Sequence, residues 1–334
     1  MHQTPIKSIK HSRILLSPLN WGLGHVSRTV PVIQWLLEQE NEIIICCDEN
    51  QELFYRNHFP QIWYIPHKGY PFKFKGSGNW TLDLLKNFSS LHLFLQDEKR
   101  IVKELVEKFN PDLIISDQRF GFISKKVKSI IISHQTNLPV PKWNILAKIW
   151  NKKLLSKFDE IWIPDTNKQE YSGKLTDGKL KNKHFIGTCS RFKNTLNDYP
   201  ATEKKEYNFL GIISGPPPYN RQFLDLFIQK VKQTNQRSAV IIPEDLYDEK
   251  LDSSGITIFK SPNHEDFIHL LMKSKTVISR AGYSTLMDLI ETKNKGILIP
   301  TPGQSEQVYL SKLHKDHPTW TFKTEEEFLQ MDLD

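Results

Sequence analysis

Cysteine is scarce in this chain, with three residues in 334, at positions 46, 47 and 189. An odd number cannot all pair. The adjacent Cys46 and Cys47 fall in a strand-like apolar run, where they read as buried thiols. A disulfide-stapled secreted scaffold is thereby excluded. Cysteine and histidine do not recur at zinc-ligand spacings, and no Asp-x-Asp follows an expected strand, so nothing points to a metal-held diphosphate. Long apolar runs are missing as well. No uninterrupted stretch approaches the roughly 20 residues that a spanning helix needs. The first residues, Met1 to Lys7, lack the apolar core of a secretory signal, and the expected location is the cytoplasm. Solenoid repeats and low-complexity tracts are absent too.

Hydrophobic residues, at 38%, suffice for two cores, and 334 residues suit two domains better than one. The net charge of +7 favours an anionic partner, although a lysine-rich solvating surface would account for it equally well. A βα alternation runs from residue 13 to about 186, with strands expected at 13–17, 42–47, 62–65, 112–116, 129–133 and 161–163 and a first helix at 26–39. A second series has strands near 209–213, 239–242, 256–259, 275–279 and 296–299, followed by a short helix at 324–329 that would cross back to the first domain. The expected division is a first domain at 1–190, a linker at 191–206 and a second domain at 207–334. Residues 66–80 form a Gly-, Pro- and aromatic-rich loop, and loops of that length are usually functional or mobile.

Most of the information lies in one segment, Val277-Ile278-Ser279-Arg280-Ala281-Gly282-Tyr283-Ser284-Thr285-Leu286-Met287-Asp288. It reads as strand, glycine turn and helix, with the helix starting at Ser284-Thr285. The positive end of that helix suits an anion such as a diphosphate. Gly282 would supply a positive φ, and Arg280 a fixed cationic fork. Asp288, one turn in from Ser284, would repel phosphate but accept hydrogen bonds from a ribose diol. Gln304, Glu306 and Gln307 follow the next strand in a polar loop. The combination points to a nucleotide.

The first strand ends in a second glycine loop, Gly22-Leu23-Gly24-His25-Val26-Ser27-Arg28, with Asp48 ending the next strand. This is close to a dinucleotide fingerprint, but Ser27 stands where the third glycine should be, and His25 and Arg28 intrude. Gly22 and Gly24 instead allow close approach of an acceptor. A proton-accepting role falls to His25, whose ordinary pKa of about 6.5 suits a base. Asp117 and His134, at the ends of two other strands, are its rivals. The bland reading is a tight turn with His25 capping the helix.

These residues carry a resemblance. The run from Ser279 to Asp288, with the loop ending in Glu306-Gln307, resembles the donor-binding region of GT-B glycosyltransferases. It is most like the family of the bacterial peptidoglycan N-acetylglucosaminyltransferase and the glycosyltransferase family 28 C-terminal domain. The resemblance implies an α/β protein of two Rossmann-like parallel-sheet domains facing each other across a cleft. It puts the ribose-binding acid at Asp288 and a donor-contacting glutamine at Gln307. The family's Gly/Ser-rich donor loop falls on Ser214-Gly215-Pro216-Pro217-Pro218-Tyr219, where prolines replace N–H donors. The ribose acid is Asp rather than the usual Glu. The activity implied is metal-independent hexosyl transfer from a nucleotide-sugar, a UDP-sugar above all, with no further cofactor. The acceptor would be a carbohydrate or lipid-linked sugar of the cell envelope, and nucleic acid is not an expected partner.

Three other classes stay open: a sugar-nucleotide epimerase, an NAD-linked enzyme resting on the first glycine loop, and a non-catalytic nucleotide-sugar-binding subunit. One further stretch, residues 141–155, would place Trp143, Leu146, Trp150 and Leu154 on one helical face with Lys148 and Lys152 elsewhere. Such a helix either packs its apolar face on the sheet or lies on the inner face of a membrane. The crossover position favours packing.

Overall fold

The computed structural model describes residues 5–70, 88–139, 145–193, 204–249, 251 and 255–333. The chain divides into two compact units, with the boundary between Arg191 and Phe192. Most of the expected linker, residues 71–80 of the aromatic loop, and Trp143 lie outside the described residues.

The first unit is a seven-stranded sheet in the order β3-β2-β1-β4-β5-β6-β7. Its strands are β1 (Arg13–Pro18), β2 (Glu42–Cys47), β3 (Trp63–Pro66), β4 (Leu113–Asp117), β5 (Lys128–Ile132), β6 (Glu160–Ile163) and β7 (Lys183–Phe185). Helices α1 (Leu23–Leu37), α2 (Glu49–Arg56), α3 (Phe88–Phe109) and α4 (Ile145–Leu155) make crossovers, as parallel pairing requires. Side chains alternate between faces. Ile14, Leu16, Ile43, Ile45 and Cys47 join one core with Val30, Ile33 and Tyr55, while Leu15, Ile44 and Cys46 meet Val102 and Leu105 of α3 in the other. Both faces are therefore buried, which is why the strands read as continuous apolar runs. The same alternation sends the adjacent thiols in opposite directions, and burial pushes Cys46 up to about 12.

In the second unit a six-stranded sheet has the order β10-β9-β8-β11-β12-β13. Its strands are β8 (Tyr207–Ile212), β9 (Ser238–Ile242), β10 (Thr257–Lys260), β11 (Ser274–Arg280), β12 (Lys295–Ile299) and β13 (Trp320–Phe322), with helices α5 (Tyr219–Val231), α6 (His264–Met272), α7 (Tyr283–Thr292), α8 (Ser305–Leu313) and α9 (Glu325–Gln330). Every pairing is again parallel. Gly211 in β8 permits the close approach of α5, since a Cβ there would stand 2.9 Å from the Phe227 ring. The last helix packs within the second unit. Phe328 enters the core beside Phe223 and Phe227, and Lys230 Nζ donates to the Leu329 carbonyl at 2.8 Å.

Each sheet has one point where the strand order reverses: between β1 and β4 in the first, and between β8 and β11 in the second. Open parallel sheets place ligands in the crevice beyond the strand C-termini at such points. Most of the sequence-selected residues fall at these two places, with His134 after β5 and Gln304–Gln307 after β12 one strand further along.

Candidate active site

At the first reversal, β1 runs into Gly22, whose φ of 81° a side chain would resist, and α1 begins at Leu23. His25 therefore stands in the first turn of α1 rather than capping it; the N-cap is Gly22, with no side-chain capping bond. Asp117 ends β4 and is fully buried. The two proposed rivals are bonded to each other, His25 Nδ1 lying 2.9 Å from Asp117 Oδ2. Arg28, one turn further along α1, completes the cluster. Its Nε lies 2.9 Å and 3.1 Å from the two Asp117 oxygens, and its Nη2 also donates to Oδ1. The same Nη2 is 2.8 Å from His25 Nδ1, and Nη1 is 2.8 Å from His134 Nδ1.

Burial and then the Arg28 charge hold His25 below its ordinary 6.5, against the pull of Asp117. The ring is neutral at pH 7. Burial alone would raise the Asp117 carboxyl, but Arg28 and His25 outweigh it and hold it below its ordinary 3.8. A neutral imidazole oriented by a buried carboxylate is the arrangement that general-base catalysis by histidine requires.

A second buried network adjoins it, and sequence reading missed it. Arg119 Nε donates to Glu98 Oε1 at 2.6 Å, and its Nη2 donates to the Lys68 carbonyl at 2.6 Å. His67 Nε2 lies 3.3 Å from the same Glu98 oxygen. Gln118, between Asp117 and Arg119, has φ 59°, and Ser116 Oγ both accepts from the Arg119 N–H and donates to its carbonyl. The turn that presents Asp117 is thus tied from both sides. Nothing in local sequence marks Glu98, which sits mid-helix and twenty-one residues before its partner.

At the second reversal lie the residues selected for a donor. Ser214 and Gly215 follow β8; Gly215 has φ 101° and open space where a Cβ would be. The amides that open α5 are already used: Tyr219 and Asn220 N–H donate to the Pro216 carbonyl, and Arg221 N–H to Asn220 Oδ1. Helix α7 starts at Tyr283, one residue earlier than expected, and no side chain caps it. Ser284, Thr285 and Asp288 are half-buried, with Asp288 one turn on from Ser284. Gln304 is the N-cap of α8, with Glu306 and Gln307 in its first turn. Gln307 is buried, its Oε1 accepting the Thr301 N–H at 2.7 Å, so its amide NH2 is what remains for a ligand.

Two expectations need correction. Gly282 has φ −77°, so it is an extended N-cap, not a positive-φ turn, and a Cβ there would meet nothing nearer than Thr285 Oγ1 at 3.8 Å. Arg280 is not a free fork beside Asp288. It is buried, 2.8 Å from the Glu325 carboxylate of α9, with its guanidinium 4.4 Å from the Phe223 ring centre. Burial lowers its pKa and Glu325 opposes that. Its charge is matched within the fold.

Helix α4 also differs from the packed amphipathic helix favoured by its position. Its buried residues are Asn151, Leu154 and Leu155, whereas Ile145, Leu146 and Ile149 are 58%, 75% and 56% exposed. Next to them, Trp150 and Leu95 line a groove of about 240 Å³ edged by His92, Lys99, Lys153 and Lys157. Burial and then Lys99 and Lys153 push Lys157 below its ordinary 10.5. Among the described residues no helix is long and apolar enough to cross a membrane.

Two parallel-sheet units, each with its polar residues gathered at the strand reversal, define the GT-B fold, the architecture of the glycosyltransferases this chain matches. In sequence the chain is distantly similar to bacterial peptidoglycan N-acetylglucosaminyltransferases. It is 24% identical over 291 residues to the UDP-N-acetylglucosamine--N-acetylmuramyl-(pentapeptide) pyrophosphoryl-undecaprenol N-acetylglucosamine transferase of Staphylococcus aureus, covering 83% of this chain and 76% of that one. Among solved structures it is similar to the spinosyn rhamnosyltransferase SpnG complexed with thymidine diphosphate, with a TM-score of 0.63, 13% identity and coverage of 95% and 90%. It is also similar to Arabidopsis thaliana UGT89C1 complexed with UDP-L-rhamnose, with a TM-score of 0.63, 9% identity and coverage of 96% and 89%. No protein-family profile matches the chain.

Proposed function

We propose that this protein is a metal-independent glycosyltransferase that moves a hexosyl group from a nucleotide-sugar, a UDP-sugar in the first instance, to a hydroxyl of a carbohydrate or lipid-linked acceptor. The observation that carries the reading is the pair at the first strand reversal, a half-buried His25 bonded to the fully buried Asp117. In this reading the first unit handles the acceptor and the second the donor. Asp117 accepts the Nδ1–H of His25 and leaves the Nε2 lone pair for the acceptor proton. As the acceptor oxygen bonds the anomeric carbon, the carbon–oxygen bond to the diphosphate breaks. The proton passes to His25, and Asp117 stabilises the imidazolium that forms. The leaving diphosphate is stabilised by the start of α7, with Ser284 and Thr285, and by the open Gly215 loop. Asp288 accepts hydrogen bonds from the donor ribose, and the Gln307 amide and the Gln304–Glu306 segment complete the donor side.

The nucleotides bound by SpnG and UGT89C1, and the undecaprenol-linked acceptor in the name of the Staphylococcus aureus enzyme, support this reading. So does the α4 surface, where exposed apolar side chains beside three lysines suit the anionic cytoplasmic face of a membrane. One observation favours a second reading, a non-catalytic nucleotide-sugar-binding subunit: the first amides of α5 are spent within their own loop.

The test is a thermal-shift screen over nucleoside diphosphates and their sugars, followed by transfer assays with the best donor. Ligand at a hundred times its Kd should stabilise the protein by about 2.7 kcal/mol. Asp288→Ala should weaken donor binding about tenfold, roughly 1.4 kcal/mol. His25→Ala should lower kcat by ~10²-fold or more at near-constant donor Kd. Donor binding without transfer to any acceptor would favour the second reading, and no nucleotide binding would end both.

A further inference from the structure

We propose that Arg28 is a positioning residue of this site, competing with Asp117 for His25 Nδ1 and so deciding which ring nitrogen carries the proton. A guanidinium only donates and a carboxylate only accepts. Arg28 Nη2, 2.8 Å from His25 Nδ1, needs a lone pair on that nitrogen. Asp117 Oδ2, 2.9 Å from the same atom, needs a proton on it. A neutral ring cannot satisfy both. With Arg28 bonded, the proton sits on Nε2 and that edge can only donate. With Asp117 bonded, Nε2 carries the lone pair and can take a proton.

Arg28 cannot simply move aside. The same guanidinium grips Asp117 through Nε, donates to His134 Nδ1, and is 98% buried. The charged or titratable groups acting on the ring are Arg28 from its own helix, Asp117 from the end of β4 and His134 from the segment after β5. Burial and Arg28 together hold His25 below its ordinary value, and Asp117 opposes them. An acceptor hydroxyl delivering its hydrogen to Nε2 favours the Asp117-bonded tautomer, so the base becomes competent as its substrate arrives. The consequence for turnover rests on the reading of His25 as the base; the tautomer competition does not.

The test is ¹⁵N NMR of the histidine side chains across pH in the full chain, with His25 assigned by its loss in His25→Gln. In the wild type both neutral tautomers are expected to contribute to the His25 signals. Arg28→Met should shift the proton to Nδ1 and raise the His25 midpoint by about one pH unit or more, a tenfold rise in proton affinity. Arg28→Lys keeps the charge beside Asp117 but not the fork, and should move both readouts the same way by less. A wild-type ring protonated only on Nδ1 would overturn the proposal without any variant. An unchanged tautomer and midpoint in folded Arg28→Met or Arg28→Lys would overturn it too, leaving Arg28 as a tie for Asp117. If the NMR shifts occur but no donor is ever transferred, the proposal stands and the glycosyltransferase reading falls. With transfer established, the acid limb of kcat/KM should move to higher pH in Arg28→Met.

Discussion

Replacing Asp117 with Asn removes one charge and little volume, and the burial of its ion pair sets the order of the loss. The carboxylate is fully buried and Arg28 is 2% exposed, joined by contacts at 2.9 Å and 3.1 Å besides the Nη2 bond. Asparagine leaves the Arg28 charge buried without its counter-ion. Its own NH2 must face either the guanidinium, which only donates, or His25 Nδ1, which can accept it only with the ring proton on Nε2. Breaking one side of a buried pair typically costs about 3–5 kcal/mol. For a unit of 150–250 residues each kcal/mol lowers Tm by about 2–4 °C, so about 4 kcal/mol becomes a drop of roughly 8–16 °C. Scanning calorimetry should show it in the transition of the first unit. Arg28→Met with Asp117→Asn removes the stranded cation as well. The double variant should therefore be more stable than the sum of the single losses predicts, by about 1–3 kcal/mol. Melting of Asp117→Asn within about 2 °C of the wild type, or strict additivity in the cycle, would refute the reasoning.

Stability should also fall on acidification below about pH 6.5. His25 and His67 are both held below their ordinary 6.5 in the fold, chiefly by burial. The unfolded chain then takes up their protons first, and each group removes about 1.4 kcal/mol per pH unit between 6.5 and its folded value. Urea titrations at pH 7.5, 6.5 and 5.5 would measure this, and a flat profile would contradict the lowered proton affinity of the two rings. Gly282→Ala should change Tm little, because φ is −77° and the nearest atom to the new Cβ is 3.8 Å away. Gly215→Ala, at φ 101°, should cost about 1 kcal/mol or more, so equal melting of the two would overturn the backbone argument. On anionic vesicles, Lys153→Glu with Lys157→Glu should weaken binding by at least about 1 kcal/mol per lysine; sedimentation unchanged from the wild type would dissociate the groove from lipid.

Much of this was readable from residues alone because both sheets are buried on two faces. Runs such as Glu42–Cys47 and Lys295–Ile299 stand out as apolar blocks, and the polar residues that stop them mark strand ends. The edges were harder. Lys183–Phe185 and Trp320–Phe322 are three residues each, too short for any period to show. The site was legible as a set of strand ends but not as a geometry. Asp117 and His25 are 92 residues apart, and only the sheet order makes them partners rather than rivals. Arg28 looked like an intrusion in a glycine loop, since no local pattern says which way a helical arginine folds back. Gly282 misled for a related reason: a glycine before a helix can serve a positive φ or a bare N-cap, and sequence does not distinguish them.

The reversal points have a consequence for how the protein comes into being. Among the described strands no hairpin can start either sheet, because every pairing is parallel and needs a crossover first. The strands that flank the first site, β1 and β4, pair Ile14 with Leu113; those at the second, β8 and β11, pair Phe209 with Thr276. These closures bridge about a hundred and nearly seventy residues of chain, and such non-local contacts form slowly. On a ribosome, β1 must therefore wait with an open hydrogen-bonding edge until β4 has been made. Closing that edge and bringing His25 to Asp117 are a single event. The His25–Asp117 pair of a nascent first unit thus forms only when β4 docks on β1, and His134, after β5, joins it one strand later.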